Sequence, residues 1–222
     1  MGRIRAVVFD LDGTLIDSAP DLRTALNGLL AEHGRRPLTL PEVTAMIGDG
    51  AAKLVERAFA MTGERAGENL PALTSGFLGY YEGKAAVETR PYPGVPETLA
   101  GLIADGIALG ICTNKPEAPT REILCDLGLD GAFTAIYGGD TLDGVHKPDP
   151  RLVFAVLDAL DASPENAVFV GDNANDVGAA RAAGLPVILR AGGYTVVSAE
   201  QLGADVVIAE FDELPGALAG LP

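Results

Sequence analysis

The chain has 222 residues, of which 48% are hydrophobic, and its formal net charge is −15 at pH 7. This hydrophobic content is enough for a sizeable core and excludes a globally disordered chain. The length fits one domain or two small ones. The negative charge argues against nucleic acid or an anionic membrane as a partner, because like charges repel.

Composition also indicates where the protein works. No apolar run approaches the roughly 18 residues that span a bilayer, and the apolar stretch near the N-terminus is only long enough for a strand. The two cysteines, Cys112 and Cys125, make neither a disulfide scaffold nor a metal cluster, and we expect buried free thiols. We therefore predict a cytoplasmic protein, with a monomer or a homodimer as its expected state.

The first predicted element ends in the most informative motif of the chain. An apolar run at 4–9, rich in β-branched residues, is followed by Asp10, Leu11, Asp12 and Gly13. Residues two apart in an extended segment point to the same side, so both carboxylates would project together from the end of a strand. Crowded carboxylates repel each other, which is typical of sites that bind a metal or do chemistry. The alternative is a strand that ends in a polar Asp-Gly turn.

The rest of the chain alternates between predicted strands and helices. The strands are expected at 4–9, 107–112, 135–137, 167–170, 186–189 and 205–208. The helices between them are expected at 95–104, 116–127, 150–160, 176–183 and 211–218. Near-continuous apolar strands separated by helices indicate an α/β fold with a doubly wound parallel sheet covered on both faces.

The segment between the first two strands is too long for a simple connection. A crossover needs about a dozen residues, whereas residues 10–106 separate these strands. Four helical patterns lie in this segment, at 19–32, 40–47, 51–61 and 69–83. We predict a helical cap at 17–89, inserted into a Rossmann-like core formed by 1–16 and 90–222. Pro20 and the segment 91–94 are typical of hinges.

Polar side chains gather at the predicted carboxyl ends of the parallel strands, where a doubly wound sheet places its site. Besides Asp10 and Asp12, they are Thr113, Asn114, Lys147, Asp172 and Asp176. The four aspartates form a hard oxygen site suited to Mg²⁺. The Thr113 hydroxyl, the Asn114 amide and the Lys147 ammonium suit phosphate oxygens, so the set predicts phosphoryl transfer.

Two residues near these strand ends also have a simpler interpretation. Asp176 lies at the start of a predicted helix, where a carboxylate can act as a plain N-terminal cap. Lys115 begins another predicted helix, and a lysine there is more often only solvated.

An aspartate at a strand end can also be a nucleophile that forms an aspartyl-phosphate, which water then hydrolyses. Asp10 lies on the strand and is the more rigid candidate for this role. Asp12 lies on the turn and suits acid–base work, protonating the leaving alcohol and then deprotonating the water.

These motifs together resemble those of the haloacid dehalogenase superfamily. The matching residues, in chain order, are Asp10-Leu11-Asp12-Gly13-Thr14-Leu15, Thr113, Lys147-Pro148 and Gly171-Asp172 with Asp176. The resemblance implies that Asp10 is the nucleophile and Asp12 the general acid/base. It implies Mg²⁺ held by Asp10, the backbone carbonyl of Asp12 and Asp172, with Asp176 acting directly or through water.

The same resemblance implies the substrate class. Leu11, Thr113, Asn114 and Lys147 would bind the phosphoryl group, and the insert would be a helical cap that closes over a small phosphorylated metabolite. Segments 46–52, 91–95, 113–115 and 136–140 resemble bacterial phosphoglycolate phosphatases, which implies 2-phosphoglycolate as the substrate. Lys53, just after the cap loop, is then a candidate partner for the substrate carboxylate.

Other functions stay open at this point. A phosphatase of sugar phosphates, amino-sugar phosphates or pyrophosphate would use the same motifs. A phosphomutase like β-phosphoglucomutase shares Asp10 and Asp12, but such mutases favour a serine-rich motif where this chain has Thr113-Asn114-Lys115. A non-catalytic binding module is disfavoured by the intact carboxylates.

Overall fold

The computed structural model describes residues 4–195 and 197–221. Residues 1–3, 196 and 222, which belong to the predicted core segments, lie outside the described residues. The strands are β1 Ala6–Phe9, β2 Ile16–Asp17, β3 Arg90–Pro91, β4 Ala108–Cys112, β5 Ala135–Tyr137, β6 Ala167–Gly171, β7 Val187–Arg190 and β8 Val206–Ile208. The α-helices are α1 Ala19–Glu32, α2 Leu40–Thr44, α3 Ala51–Thr62, α4 Leu70–Tyr81, α5 Val95–Ala104, α6 Glu117–Asp126, α7 Pro150–Ala159, α8 Ala174–Ala183 and α9 Leu214–Gly220.

Six strands form one parallel sheet, in the order β5-β4-β1-β6-β7-β8. β1 lies inside the sheet between β4 and β6, and its four residues are fully buried. A strand covered on both faces gains from apolar side chains at every position, which explains the unbroken run Ala-Val-Val-Phe. The predicted α/β fold with a doubly wound parallel sheet is confirmed.

Each face of the sheet packs against its own helices. Val7 and Phe9 belong to a cluster that includes the apolar side chains of α5, α6 and α9. Ala6 and Val8 belong to a second cluster, formed with α7 and α8. The end of β1 is therefore fixed on every side, and the ladder continues past it because the Asp10 N–H donates 2.9 Å to the Val170 carbonyl.

The chain between β2 and β3 forms a four-helix cap from α1 to α4. α4 packs against α1 and α3, and buried side chains such as Leu26, Leu30 and Phe77 lie in its interior. The buried residues of α1, α3 and α4 recur at helical spacing on one face of each helix, which is why the segment folds as amphipathic helices. The cap interior joins the cluster that contains Val7 and Phe9.

Three contacts hold the chain where it enters and leaves the cap. β2 pairs with β3 in an antiparallel ribbon. The Asp21 carboxylate accepts hydrogen bonds of 2.8 Å from the Thr89 N–H and hydroxyl, which ties α1 to the returning chain. The Tyr194 hydroxyl accepts hydrogen bonds of 2.7 and 2.9 Å from the Ser18 and Ala19 N–H groups. The ribbon thus lies at both ends of the predicted insert.

Some predicted elements differ in their bounds. The predicted helix 40–47 ends at Thr44, and the next residues form a tighter turn, in which the Met46 and Ile47 N–H groups donate to the Val43 and Thr44 carbonyls. The predicted helix 176–183 begins at Ala174, because the Asn173 side chain caps it by accepting 2.9 Å from the Asn175 N–H. The predicted helix 211–218 is a short 3₁₀ turn followed by α9.

Cys125 is exposed, so its predicted burial was wrong. Among the described residues, none of the helices combines the length and apolar character needed to cross a membrane.

Candidate active site

The site forms where the strands of the parallel sheet end. Asp10 and Asp12 follow β1, Thr113 follows β4, and Asp172 follows β6. The Thr113 N–H donates 3.1 Å to the Tyr137 carbonyl at the end of β5, so this turn also starts from the ladder. Parallel strands bring their carboxyl ends to one edge, and the predicted residues meet there for that reason.

Asp10 and Asp176 share the ammonium group of Lys147. The Lys147 Nζ lies 2.9 Å from Asp10 Oδ1 and 2.7 Å from Asp176 Oδ1, and all three residues are buried. Burial acts to lower the pKa of Lys147, but the two carboxylates outweigh it and the pKa is raised. Lys147 therefore keeps a fixed positive charge beside Asp10.

Asp10 is held by the turn that follows its strand. The Leu11 N–H donates 2.7 Å to Asp10 Oδ1, the same oxygen that Lys147 contacts. Burial raises the pKa of Asp10 to about 6, Lys147 opposes the rise, and Asp176 adds to it. The Leu11 side chain is fully buried, so only its backbone faces the site. The predicted phosphate contact of Leu11 would have to use this backbone, whose N–H already holds Asp10.

Asp172 is a fully buried carboxylate of the site. Its Oδ1 accepts 3.0 Å from the Thr14 hydroxyl, and its Oδ2 accepts 2.6 Å from the Tyr194 N–H. Burial raises its pKa well above the usual range, and the neighbouring Asp176 and Asp10 raise it further. These contacts fix both oxygens of a carboxylate that is costly to ionise without a nearby cation.

Three of the predicted metal ligands come together. Asp10, Asp172 and Asp176 each offer a carboxylate oxygen, and these oxygens all lie within 4.8 Å of one another. The Asp12 side chain points elsewhere, so its predicted share in a metal site would rest on its backbone carbonyl. An all-oxygen set suits a hard divalent cation, and such a cation would relieve the cost that raises the pKa values of Asp10 and Asp172. The residues present therefore fit a metal such as Mg²⁺.

Asp176 fits both interpretations that the sequence left open. Its Oδ2 accepts 3.0 Å from the N–H groups of Asp172 and Asn173, as the third residue of a capping box at the start of α8. Its Oδ1 binds Lys147. The same carboxylate thus fixes the helix start and the lysine.

Asp12 faces the cap side of the site. The Lys115 Nζ donates 3.2 Å to each carboxylate oxygen of Asp12 and 3.0 Å to the hydroxyl of Tyr81, a cap residue. The Ser18 hydroxyl donates 2.5 Å to Asp12 Oδ1. The Lys115 side chain is only 4% exposed, so the prediction of a solvated lysine was wrong. The sequence places Lys115 at a helix start, but burial comes from the cap, far away in the chain.

Thr113 and Asn114 form hydrogen bonds with the backbone of the two lysines of the site, Lys115 and Lys147. The Thr113 hydroxyl accepts 3.3 Å from the Lys115 N–H and is buried at the strand end. The Asn114 side chain accepts 2.8 Å from the Lys147 N–H and donates 3.1 Å to the Lys147 carbonyl. It also donates 3.0 Å to the Gly48 carbonyl of the cap. The Asn114 side chain therefore holds the loop that carries Lys147, and its predicted phosphate contact would have to use its backbone N–H.

The cap covers the site on the side opposite the strand ends. A cavity lies between Asp10, Asp12 and the 113–115 turn on one side and the cap on the other. Its cap wall is mainly apolar and consists of Leu22, Ile47, Gly48, Gly50, Ala51, Leu54, Phe77, Leu78 and Tyr81. Lys53 is not part of this lining, since its ammonium pairs with Glu56 at 2.6 Å on an exposed face of α3. The structure does not bring Lys53 to the other predicted site residues.

Cap and core are also joined by a contact that the sequence did not reveal. The Asn175 side chain, at the start of α8, donates 2.7 Å to Asp49 Oδ1 in the cap loop and 3.3 Å to the Gly48 carbonyl. Arg57 binds the other oxygen of Asp49. Residues 126 apart in the chain meet here, so no local pattern could have indicated the contact.

Comparison with known proteins identifies the family of this chain. The model of the family described as haloacid dehalogenase-like hydrolase matches residues 4–184. The chain belongs to this hydrolase family. A relative from Rhodospirillum rubrum named phosphoglycolate phosphatase is 42% identical over an alignment of 223 positions, which covers 98% of this chain and 92% of the relative. Another of that name, from Caulobacter vibrioides, is 42% identical over 95% of this chain and 89% of its own length.

Solved structures of the family have the same architecture. A predicted phosphoglycolate phosphatase from Haemophilus somnus 129PT superposes with a TM-score of 0.91 at 31% identity, over 98% of this chain and 99% of that one. CbbY from Rhodobacter sphaeroides, solved in complex with phosphate, gives a TM-score of 0.79 at 27% identity, over 95% of this chain and 96% of its own. The resemblance that the motifs indicated is confirmed at the level of the family.

Proposed function

We propose that this hydrolase is a phosphatase that removes the phosphoryl group of 2-phosphoglycolate with Mg²⁺ as its metal ion. The observation that carries the proposal is the setting of Asp10, a buried carboxylate that shares Lys147 with Asp176 and lies beside Asp172. The names of the relatives support both the phosphatase chemistry and the substrate.

The metal would be held by Asp10, Asp172 and the backbone carbonyl of Asp12, with Asp176 beside them. When bound, Mg²⁺ would neutralise part of the charge on the phosphoryl oxygens and on these carboxylates. Lys147 and the Thr113 hydroxyl would bind other phosphoryl oxygens. This local positive charge is needed because the net charge of the chain, −15, opposes the approach of an anion.

In the first half of the reaction, an oxygen of Asp10 attacks the phosphorus atom. The bond between phosphorus and the ester oxygen breaks, and that oxygen takes a proton from Asp12, so that glycolate leaves. Asp10 is suited to this step because the sheet holds its backbone and Lys147 holds its carboxylate, which limits motion away from the phosphorus.

In the second half, Asp12 takes a proton from a water molecule whose oxygen attacks the phosphorus atom. The bond between phosphorus and Asp10 breaks, which releases inorganic phosphate and restores the Asp10 carboxylate and the protonated Asp12. Asp12 thus returns to its starting protonation state in each cycle. The apolar cap wall supports this sequence, because it keeps bulk water from the site while the alcohol leaves.

The test is phosphate release from a panel of esters with Mg²⁺ and, in parallel, with EDTA. The panel holds 2-phosphoglycolate, a hexose phosphate, an amino-sugar phosphate, pyrophosphate and phosphoserine. We expect Mg²⁺-dependent release with the highest kcat/KM for 2-phosphoglycolate. Preference for a sugar phosphate or pyrophosphate would overturn the substrate, and phosphate release unaffected by EDTA would overturn the metal. No release from any ester would overturn the phosphatase itself.

A further inference from the structure

We propose that Lys115 binds the carboxylate of the substrate and makes the site selective for phosphate esters with an adjacent negative charge. This inference rests on the proposed phosphatase function and extends it. It assigns to Lys115 the task that the sequence suggested for Lys53. Four features of the site support it.

The first feature is the charge of the cavity lining. Among the described residues that line the cavity, Lys115 alone has a cationic side chain. The other charged members are Asp10 and Asp12, and the cap wall is mainly apolar. A carboxylate that entered this space would lose its hydration, and without a cation it would gain no ionic interaction to compensate for that loss. Lys115 is the group that can compensate a second negative charge there.

The second feature is that two other lysines of the chain, Lys147 and Lys53, already have carboxylate partners elsewhere. Lys147 lies between Asp10 and Asp176 and faces the phosphoryl side of the site. Lys53 is paired with Glu56, and its side chain is 58% exposed. Neither ammonium is placed between Asp12 and the cap, which is where the part of the substrate beyond the ester oxygen has to lie.

The third feature is the capacity of the Lys115 ammonium. It has three N–H donors, and one of them reaches the Tyr81 hydroxyl at 3.0 Å. Both contacts with Asp12 measure 3.2 Å, which is longer than the roughly 2.7–2.9 Å usual for charge-assisted hydrogen bonds. Asp12 is therefore a loose partner, and a donor can turn to a substrate carboxylate without leaving the ammonium unpaired.

The fourth feature is the match with the shape of the substrate. In 2-phosphoglycolate a single CH₂ group separates the ester oxygen from the carboxylate. Asp12 has to reach the ester oxygen in order to protonate it, and Lys115 contacts both oxygens of Asp12. A carboxylate next to the leaving oxygen thus falls within reach of the neighbouring ammonium. Tyr81 fixes that ammonium from the cap side, so the contact forms only when the cap is in place.

The experiment compares two esters that differ in charge but not in length, 2-phosphoglycolate and 2-hydroxyethyl phosphate. We expect Lys115→Met to lower kcat/KM for 2-phosphoglycolate by at least about 30-fold, mostly through KM, as for loss of a buried charge partner. The value for 2-hydroxyethyl phosphate should fall by a smaller factor, because that ester loses only the contact of Lys115 with Asp12, so the ratio of the two values should fall by at least about tenfold. Lys115→Arg should keep part of the preference. Lys84→Met, which removes an exposed cap lysine, is the matched control and should change neither value.

Equal losses for both esters would overturn the proposal, because Lys115 would then act through Asp12. A binding measurement separates this result from failure of the phosphatase function. Calorimetric titration of 2-phosphoglycolate into Asp10→Asn protein, with and without Lys115→Met, reports carboxylate recognition without turnover. We expect at least about 30-fold weaker binding in the double variant. Equal binding by both proteins would overturn the role of Lys115, whereas absent turnover in the wild type with intact selective binding would overturn only the proposed reaction.

Discussion

The Lys147 Nζ lies 2.7 Å from Asp176 Oδ1, and both side chains are withdrawn from solvent. Asp176 comes from the start of α8 and Lys147 from the loop before α7, so the pair joins two loops of the site. The same carboxylate accepts the N–H groups of Asp172 and Asn173. One side chain thus holds the lysine and shapes the turn that carries Asp172, the predicted metal ligand.

Removing this carboxylate should therefore destabilise the protein as well as inactivate it. Asp176→Ala leaves two buried N–H groups without their acceptor and weakens the pairing of Lys147. We expect a loss of about 3–5 kcal/mol in the free energy of unfolding, measured by urea denaturation. Glu56→Ala removes half of an exposed ion pair and should leave the stability unchanged. A stable Asp176→Ala protein would contradict the structural role of the pair.

Mg²⁺ should stabilise the protein in a manner that depends on pH. Burial raises the pKa of Asp10 to about 6 in the metal-free fold, above its unfolded value of 3.8, so the stability contributed by its protonated form is lost as pH rises through 6. Mg²⁺ binds the ionised carboxylates and compensates that loss. We expect saturating Mg²⁺ to raise Tm by about 5 °C or more at pH 8.

The shift in Tm should be small at pH 5, where Asp10, with its pKa raised to about 6, holds a proton that competes with the cation, and the raised pKa of Asp172 acts in the same direction. Asp172→Asn should abolish most of the shift at pH 8. The measurement is differential scanning fluorimetry with Mg²⁺ or EDTA from pH 5 to 8. A shift of equal size at both ends of this range would show that the cation binds elsewhere.

The loop that ends in Tyr194 should control the position of Asp172. A Cβ atom at Gly193 would lie 2.3 Å from the Asp172 Cβ, which is too close for either to stay in place. Gly193→Ala should therefore push the carboxylate aside and weaken Mg²⁺ binding by about tenfold or more, measured by calorimetry. Gly216→Ala adds a Cβ in open space on α9 and should leave Mg²⁺ affinity unchanged. Unchanged affinity in Gly193→Ala would mean that Asp172 is not a ligand.

The contact between Asn175 and Asp49 should favour the closed cap. Asn175→Ala removes a hydrogen bond of 2.7 Å between core and cap loop, worth about 1 kcal/mol, or about fivefold in the closing equilibrium. We expect KM for 2-phosphoglycolate to rise about fivefold with little change in Tm. Asn69→Ala, at an exposed cap position, is the control. A fall in Tm without a change in KM would instead assign the contact to folding.

Whether a site residue could be predicted from the sequence depends on how far apart in the chain its contacts lie. Asp10, Thr113 and Asp172 were predictable because each follows an apolar strand, and parallel strands bring such positions together. Lys115 was misjudged because its burial depends on Tyr81, which lies on a cap helix. The Tyr194 contact with Asp172 and the Asn175 contact with the cap left no local pattern either.

The domain arrangement shows the same distinction. Long helices such as α1 and α3 repeat apolar residues over several turns, and their positions could be predicted closely. β2 and β3 have two residues each, too few to show any period, so the ribbon at the base of the cap was not foreseen. In the loop after Thr44, the Gly48 carbonyl accepts hydrogen bonds from Asn114 and Asn175. These two residues belong to the core, so the cap sequence alone could not indicate the contacts.

The role of Asp10 as nucleophile can be tested whichever phosphate ester the protein prefers. Asp10→Asn keeps the shape of the side chain but removes the negative oxygen that attacks phosphorus, and we expect kcat to fall by at least about 10³-fold. The fold should persist, because the apolar side chains of β1 stay buried and Lys147 keeps its ion pair with Asp176. Acid-quenched wild-type protein should contain a phosphorylated peptide that includes Asp10, and Asp10→Asn protein should not. Asp126→Asn, an exposed aspartate at the end of α6, should behave as the wild type. Normal turnover by Asp10→Asn would mean that water attacks phosphorus directly, with Asp10 serving the metal alone.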